Sequence, residues 1–328
     1  MVRSGRLAAL SQVTLRRGER SLASALQAFA QVMDMPAERA QHLLDAAEAL
    51  RREGDDGRAA MAAWRCLNDF PGAAAEAGAL LYELDETIPG LLFDDHVAWV
   101  STRALLAGGS WLTSPEPECL PTAWDSAVLG YFSGVLRDRH ASAFVDVGAN
   151  SGSFALLGLV HPSLVCHAVE PNPSAATLLK RHVAVNALNS VTTVHECALS
   201  NFTGRGVLGL PRQTGLATLG TVDHMPDRDD LVVELVRLDD LVEQCGIGRI
   251  DAIKVDTEGH ELLVLQGAIG VIERWRPILL LEAVDTMMAR HGYSRRELDD
   301  FLACHGYSVQ GVGTEDILAL PAPAQPKG

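Results

Sequence analysis

The apolar positions of this 328-residue chain change their period once along its length. From about Ser21 to Glu86, Ala and Leu recur at helical spacing with almost no β-branched runs, which predicts three or four short helices. Breaks are expected at Met35-Pro36, at Gly54 to Gly57, at Pro71-Gly72 and at Pro89-Gly90. From Ala143 onward, short apolar runs alternate with amphipathic ones. Ala143–Gly148, Val165–Glu170, Val191–His195, Val232–Arg237, Ile250–Asp256 and Ile278–Glu282 read as strands, with an irregular insert before Val232. Ser151–Val160, Ser174–Ala187, Asp239–Cys245 (capped by an aspartate), Glu261–Gly267, Gly270–Trp275 and Arg295–His305 read as helices. Tyr307–Val312 and Glu315–Leu320 read as a closing hairpin. Such alternation implies a doubly wound, mostly parallel α/β sheet, whose ligands bind at the carboxyl ends of strands.

The expected organisation is an N-terminal α-helical region over 1–100, a linker or lid over 101–140, a main domain over 141–320 and a disordered tail over 321–328. Within the first region, Ala37–Arg52 and Arg58–Asp69 look like one tetratricopeptide-type hairpin. A single such unit cannot bury its own face, so a small helical cap is expected; a platform for a protein partner or for self-association is the alternative. Between 91 and 140 the chain gathers Trp99, Trp111, Trp124, Tyr131 and Phe132 around a Pro-rich stretch at 114–121, which suits core packing or a lid.

Charge narrows the choice of ligand. A formal net charge of −15 argues against nucleic acid, whose binding needs a basic stripe to displace counterions. Six scattered cysteines without a C-x-x-C pair suit reduced thiols and a cytoplasmic location. No apolar run is long enough for a membrane span. The Arg-rich first 20 residues read as a frayed basic end, with an organelle transit peptide as the alternative.

The first strand leads into Asp146-x-Gly148-x-x-x-Gly152, a strand, turn and helix that can grip a nucleotide-bearing cofactor. It lacks the Gly-x-Gly that lets backbone approach a pyrophosphate, and an acid before the turn suits a cationic ligand better than phosphates. Glu170 ends the next strand, placed to accept hydrogen bonds from both hydroxyls of a ribose. S-adenosylmethionine meets these terms: it carries a ribose, an amino-acid tail and a positive sulfur, and no phosphate. A nicotinamide-dependent dehydrogenase is disfavoured by the missing Gly-x-Gly. The expected cofactor set is Asp146, Gly148, Asn150, Gly152, Glu170, Pro171, Asn172 and Asp256, with Glu196 and Cys197 near the adenine.

The ordered motifs Asp146-Val-Gly-Ala-Asn150, Val169-Glu-Pro-Asn-Pro173, Leu238-Asp-Asp-Leu241 and Ile253-Lys-Val-Asp-Thr-Glu-Gly-His-Glu261, ending in Pro277–Glu282, resemble the FkbM-type S-adenosylmethionine-dependent methyltransferases. Arg237, where threonine is common, and Ser151, where an aliphatic residue is usual, depart from that pattern. The resemblance covers about 140–320 and implies a class I, Rossmann-like methyltransferase fold.

Methyl transfer to a hydroxyl requires an acceptor held in line with the methyl and a base to take its proton. His260 is the simplest base, with Asp256 and Glu258 orienting it or the acceptor. Lys254 is expected in an ion pair with one of these carboxylates, and Glu261 either in the site or at the N-terminus of the next helix. Asp256 and Glu282 end neighbouring strands and are the two evident ligands for a magnesium ion, an arrangement that the resemblance to sugar methyltransferases of the same fold also implies. His167, His182 and His195 are expected to be structural. The activity expected is O-methylation of a small molecule, natural product or glycan; the alternative is a weakly catalytic scaffold that recruits a partner through the helical N-terminus.

Overall fold

The computed structural model describes residues 2–35, 39–106, 111–112, 122–123, 126–211, 218–219 and 228–322. They fall into two compact units, Met1–Ser126 with Ala184–Asn186, and Ala127–Val183 with Ala187–Gly328.

The second unit is built on a seven-stranded sheet: β1 (Ala143–Val147), β2 (Val165–Val169), β3 (Thr192–His195), β4 (Ala252–Val255), β5 (Ile278–Glu282), β6 (Tyr307–Val312) and β7 (Asp316–Pro321). Their spatial order is β6-β7-β5-β4-β1-β2-β3. The first five strands are parallel, and β7 runs antiparallel between β5 and β6. β1 and β4 are buried along almost their whole length, as expected of parallel strands covered on both faces. Val145, Val147, Ile253, Val255, Leu279 and Leu281 share one core. On β1, Phe144 alternates with these valines and lies 5.6 Å from Phe132 between ring centres. Val147 pairs with Val169 on one side and Val255 on the other, so three strands end at one level. Strand order reverses at β1 and β4, which puts the binding crevice beyond their carboxyl ends.

Several local expectations change. After Gly152 there is no α-helix but a five-residue 3-10 helix, Ala155–Leu159. The insert before Val232 is not irregular: Ala198–Leu199, Gly204–Pro211, Thr218–Leu219 and Arg228–Val236 form a second, four-stranded sheet. The helix Leu238–Cys245 has no aspartate cap. Asp239 instead accepts from the main-chain N–H of Gly270 and Val271, so it caps the neighbouring helix Ile269–Trp275. A capping rule read along the sequence cannot see a helix terminus brought alongside by the fold.

In the first unit, helices span Val2–Arg16, Arg20–Met33, Ala40–Arg52, Asp56–Asp69 and Ala74–Leu84. The residues expected to fray therefore form a helix. Asp55 caps Asp56–Asp69 by accepting from Arg58 N at 3.1 Å. Leu43 and Leu44 of the third helix pack with Cys66 of the fourth and Ala77 of the fifth. The region is not all helical, because the last helix ends at Asp85 in the left-handed region (φ +46°). Thr87–Phe93 then pairs with His96–Ser101 as an antiparallel hairpin. Pro89-Gly90, expected as a break, lies inside that strand, where proline's fixed φ is close to extended backbone. Within 101–140, Ser126–Asp138 is helical. Trp124, the Pro-rich stretch and most of the terminal tail lie outside the described residues. Among those described, no helix is long and apolar enough to cross a membrane.

Candidate functional site

The crevice begins at Asp146, on β1 and wholly buried. Register places it beside Lys254 on β4, whose Nζ is 3.8 Å from Asp146 Oδ1 and 3.0 Å from Asp256 Oδ2. The same ammonium sits 4.6 Å from the centre of the Phe154 ring. Burial by itself would lower the Lys254 pKa, but the two carboxylates outweigh it and hold the group charged. Burial pushes Asp146 up to about 6 against the pull of Lys254. Neither Asp146 oxygen has a hydrogen-bond partner among the described residues. The expected ion pair of Lys254 is thus a buried cation between two acids.

Glu170, at the end of β2, is 5% exposed and accepts two main-chain N–H groups, from Asn150 and from Asn172, each at 2.8 Å. Its carboxylate therefore fastens the loop after β1 to the start of the next helix. Burial pushes it up to about 7 despite these two bonds. Asn172 accepts from Ser174 N at 3.0 Å through its side chain, at the entry to the helix Pro173–Val185. Gly148 and Gly152 have φ of +76° and +97°, and Asn150 between them is left-handed as well. Pro171 is half-buried. Of the pair expected near adenine, Glu196 is exposed and bonded to Lys180, whereas Cys197 is buried among the apolar residues of the core.

Beyond β4 the chain turns through Asp256-Thr-Glu258-Gly259. Oxygens of Asp256, Glu258 and Glu282, all half-buried, lie within 4.8 Å of one another. Burial pushes Glu258 up to about 7, with Asp256 and Glu261 adding repulsion that Arg290 and Lys254 oppose. Glu282 is driven far above the ordinary carboxylate range by burial and then by Asp256, Glu258 and Glu261. Its Oε2 is buried without a hydrogen-bond partner among the described residues. A cluster of three acids in which Glu258 and Glu282 resist ionisation can accept a proton or share a cation.

His260 is not one of this group. It is 8% exposed; its Nε2 lies 3.0 Å from Ser200 Oγ and its Nδ1 3.4 Å from His291 Nδ1. Burial, with His291 beside it, lowers its pKa to about 4. A ring so placed is neutral at pH 7, and both of its nitrogens face other side chains. Glu261 is not exposed to the crevice either. Its Oε1 accepts from Thr257 N, Thr257 Oγ1 and Gly259 N, each at 3.0 Å. Tyr293, which the sequence did not single out, donates its one hydroxyl proton to Gly259 O at 2.7 Å, with Glu261 Oε2 3.3 Å from the same oxygen. The histidines expected to be structural do make internal contacts: His182 Nδ1 lies 2.6 Å from Ser151 O, and His167 Nδ1 lies 3.1 Å from His195 Nε2.

Residues 146–309, half of the chain, match the methyltransferase FkbM domain. The chain belongs to the FkbM methyltransferase family. Every acid described above falls within the matched span, from Asp146 to Glu282, and so does Tyr293. Residues 1–126 lie outside it. Methyltransferase sdnD of Sordaria araneosa is 28% identical over 45% of this chain and 72% of its own length. The 31-O-demethyl-FK506 methyltransferase FkbM of Streptomyces tacrolimicus is 31% identical over 39% of this chain and 60% of its own. A solved structure of methyltransferase FkbM from Methylobacillus flagellatus KT is 17% identical, covering 92% of this chain and 60% of that one with a TM-score of 0.42. The chain thus spans only part of the length of these FkbM relatives.

Proposed function

We propose that the chain transfers a methyl group from S-adenosylmethionine to a hydroxyl of a small molecule, natural product or glycan, with Glu258 as the group that takes the hydroxyl proton. The observation that carries this reading is the cluster of Asp256, Glu258 and Glu282 beside the Asp146–Glu170 loop, with Glu258 poised near pH 7.

The cofactor half of the site fits a cationic nucleoside. Asp146 is a buried carboxylate whose oxygens make no hydrogen bond among the described residues and whose one ion-pair partner, Lys254, is shared with Asp256, and each oxygen of Glu170 retains a lone pair beyond its one main-chain bond. S-adenosylmethionine, when bound, supplies an electrophilic methyl on a positively charged sulfur. On the acceptor side, Glu258 would accept the hydroxyl proton while Asp256, fixed by Lys254, orients the acceptor. Such a base contributes about 10²–10⁴-fold in rate. The name of the Streptomyces relative specifies an oxygen acceptor, which supports oxygen over nitrogen or carbon. The scaffold alternative is not favoured by a site whose acids are all in place.

A second reading is favoured by the same cluster, because Glu258 brings to three the carboxylates that the sequence presented as two. Hard oxygen donors suit magnesium, which Asp256, Glu258 and Glu282 would hold, satisfying the buried Glu282 Oε2. Such an ion, when bound, lowers the pKa of a hydroxyl at the site.

The test is transfer of labelled methyl from S-adenosylmethionine to a panel of hydroxyl-bearing polyketides and glycans, with E258Q alongside. Transfer that falls about 10²–10⁴-fold in E258Q supports the base. Loss of activity on chelation, restored by magnesium, supports the metal. No thermal stabilisation by S-adenosylmethionine, with stabilisation by NAD instead, overturns the methyltransferase reading.

A further inference from the structure

The backbone at Glu258 is in a conformation that glutamate avoids. Its φ is +56°, and Gly259 follows at +103°. The turn is also tight, since a Cβ on Gly259 would come within 2.4 Å of Met287 O. Residues are kept in this region only where their surroundings over-determine them. His291 meets the main chain of Glu258 itself, and two further side chains hold the turn on either side of it. Glu261 Oε1 gathers the N–H groups of Thr257 and Gly259, one on each side of Glu258, together with the Thr257 hydroxyl. Tyr293 Oη donates to Gly259 O and accepts from Leu262 N at 3.1 Å. The main-chain groups flanking Glu258 are thus held, while none of these bonds uses its side chain.

We propose that Glu261 and Tyr293 are positioning residues that hold the Thr257–Gly259 turn in its left-handed form and thereby aim the Glu258 carboxylate at Asp256 and Glu282. Glu261 is 1% exposed and Tyr293 is buried, so neither acts by touching an acceptor. This inference rests on the reading of Glu258 as the acceptor-side base.

The experiment follows the Glu258 backbone directly, with no acceptor needed. The full chain is labelled with ¹³C at glutamates, and the Glu258 resonances are identified by their loss in E258Q. In the parent protein its Cα and Cβ shifts should be those of left-handed backbone. In Y293F and in E261Q, checked as folded by circular dichroism, they should move away from those values as the turn relaxes. With the acceptor found in the panel, kcat should drop about 10–100-fold in Y293F, the scale of a misplaced reacting group, with KM for S-adenosylmethionine unchanged. In an E258Q background Y293F should cost nothing further. Unchanged Glu258 Cα and Cβ shifts in both folded variants overturn the proposal. So does an equal loss of kcat with and without Glu258. Full activity of E258Q overturns the base reading itself, and this inference with it.

Discussion

The space that a Cβ on Gly148 would occupy is filled by the main-chain oxygen of Asp256, which would stand 1.8 Å from it. The loop that follows β1 is therefore packed on the end of β4, and the glycine loop and the acid turn share one backbone contact. Gly148 also has φ +76°, which costs a residue with a side chain about 1–2 kcal/mol. G148A should lose at least this much, since backbone cannot yield as a side chain does. G152A meets only the flexible end of Leu179, at 2.3 Å, and should lose less although its φ is similarly positive. Urea unfolding of the two variants checks the ranking; equal losses would mean that φ alone decides.

Glu258 makes a prediction about pH. Its folded-state pKa is raised from 4.5 to about 7, so between those values the folded chain holds a proton that the unfolded chain has released. Stability should therefore fall as pH rises from about 4.5 through 7, and E258Q should remove that part of the slope. Turnover should move the opposite way, falling as pH drops below about 7 because the base is then protonated. A parent and an E258Q variant with identical stability profiles over that range would sink the assignment.

The main sheet could be read from the chain because parallel strands buried on both faces are apolar runs, and Ile278–Glu282 was delimited to the residue. The acids were legible for a related reason: they terminate those runs. Their roles were not, because roles depend on contacts between distant segments. Nothing near His260 in sequence signals Ser200, 60 residues earlier, and nothing near Gly259 signals Tyr293, 34 residues later. The Gly152 turn resembles a helix start, yet only a short 3-10 helix follows, at Ala155–Leu159, whose walls are fixed by tertiary packing on Leu156 and Leu157.

For His260 the expected outcome follows from its buried partners. H260A removes a ring bonded to Ser200 and opens a cavity, so it should lower the melting temperature while leaving the acid limb of the rate profile in place. Its pKa near 4 sets the sign: the folded chain keeps the ring neutral, so that contribution to stability is lost as pH drops from 6.5 toward 4. A fall in turnover of about 10²–10⁴-fold with an unchanged melting temperature would instead make His260 the base.

Glu170 should be intolerant of an isosteric change. Both of its oxygens receive a main-chain N–H, so E170Q must turn an amide NH₂ toward a donor and lose one of the two bonds. A hydrogen bond to a charged acceptor is worth about 1.5–3 kcal/mol. The Asn150 turn should loosen even without cofactor, and isothermal titration should show S-adenosylmethionine bound more weakly by a comparable amount. Binding unchanged in E170Q would move the ribose contact to another residue.

Lys254 offers the most demanding case, because one ammonium serves two acids on neighbouring strands. It is 5% exposed, bonded to Asp256 at 3.0 Å and 3.8 Å from the wholly buried Asp146. K254M keeps the length of the side chain and its packing on Phe154 but leaves both carboxylates without their cation. Removing one partner of a buried pair costs about 3–5 kcal/mol, more than the pair itself contributes, because the charge left behind, here that of the wholly buried Asp146 more than that of the half-buried Asp256, is cut off from water. Part of that loss should be recovered in K254M/D256N, where one of the two stranded charges is gone, and stability in K254M should rise as pH falls and the acids take up protons. Urea unfolding of K254M, D256N and the double variant forms a cycle that measures the coupling. A cost below about 1 kcal/mol for K254M would show that water reaches this pair, at variance with the burial of Lys254 and Asp146.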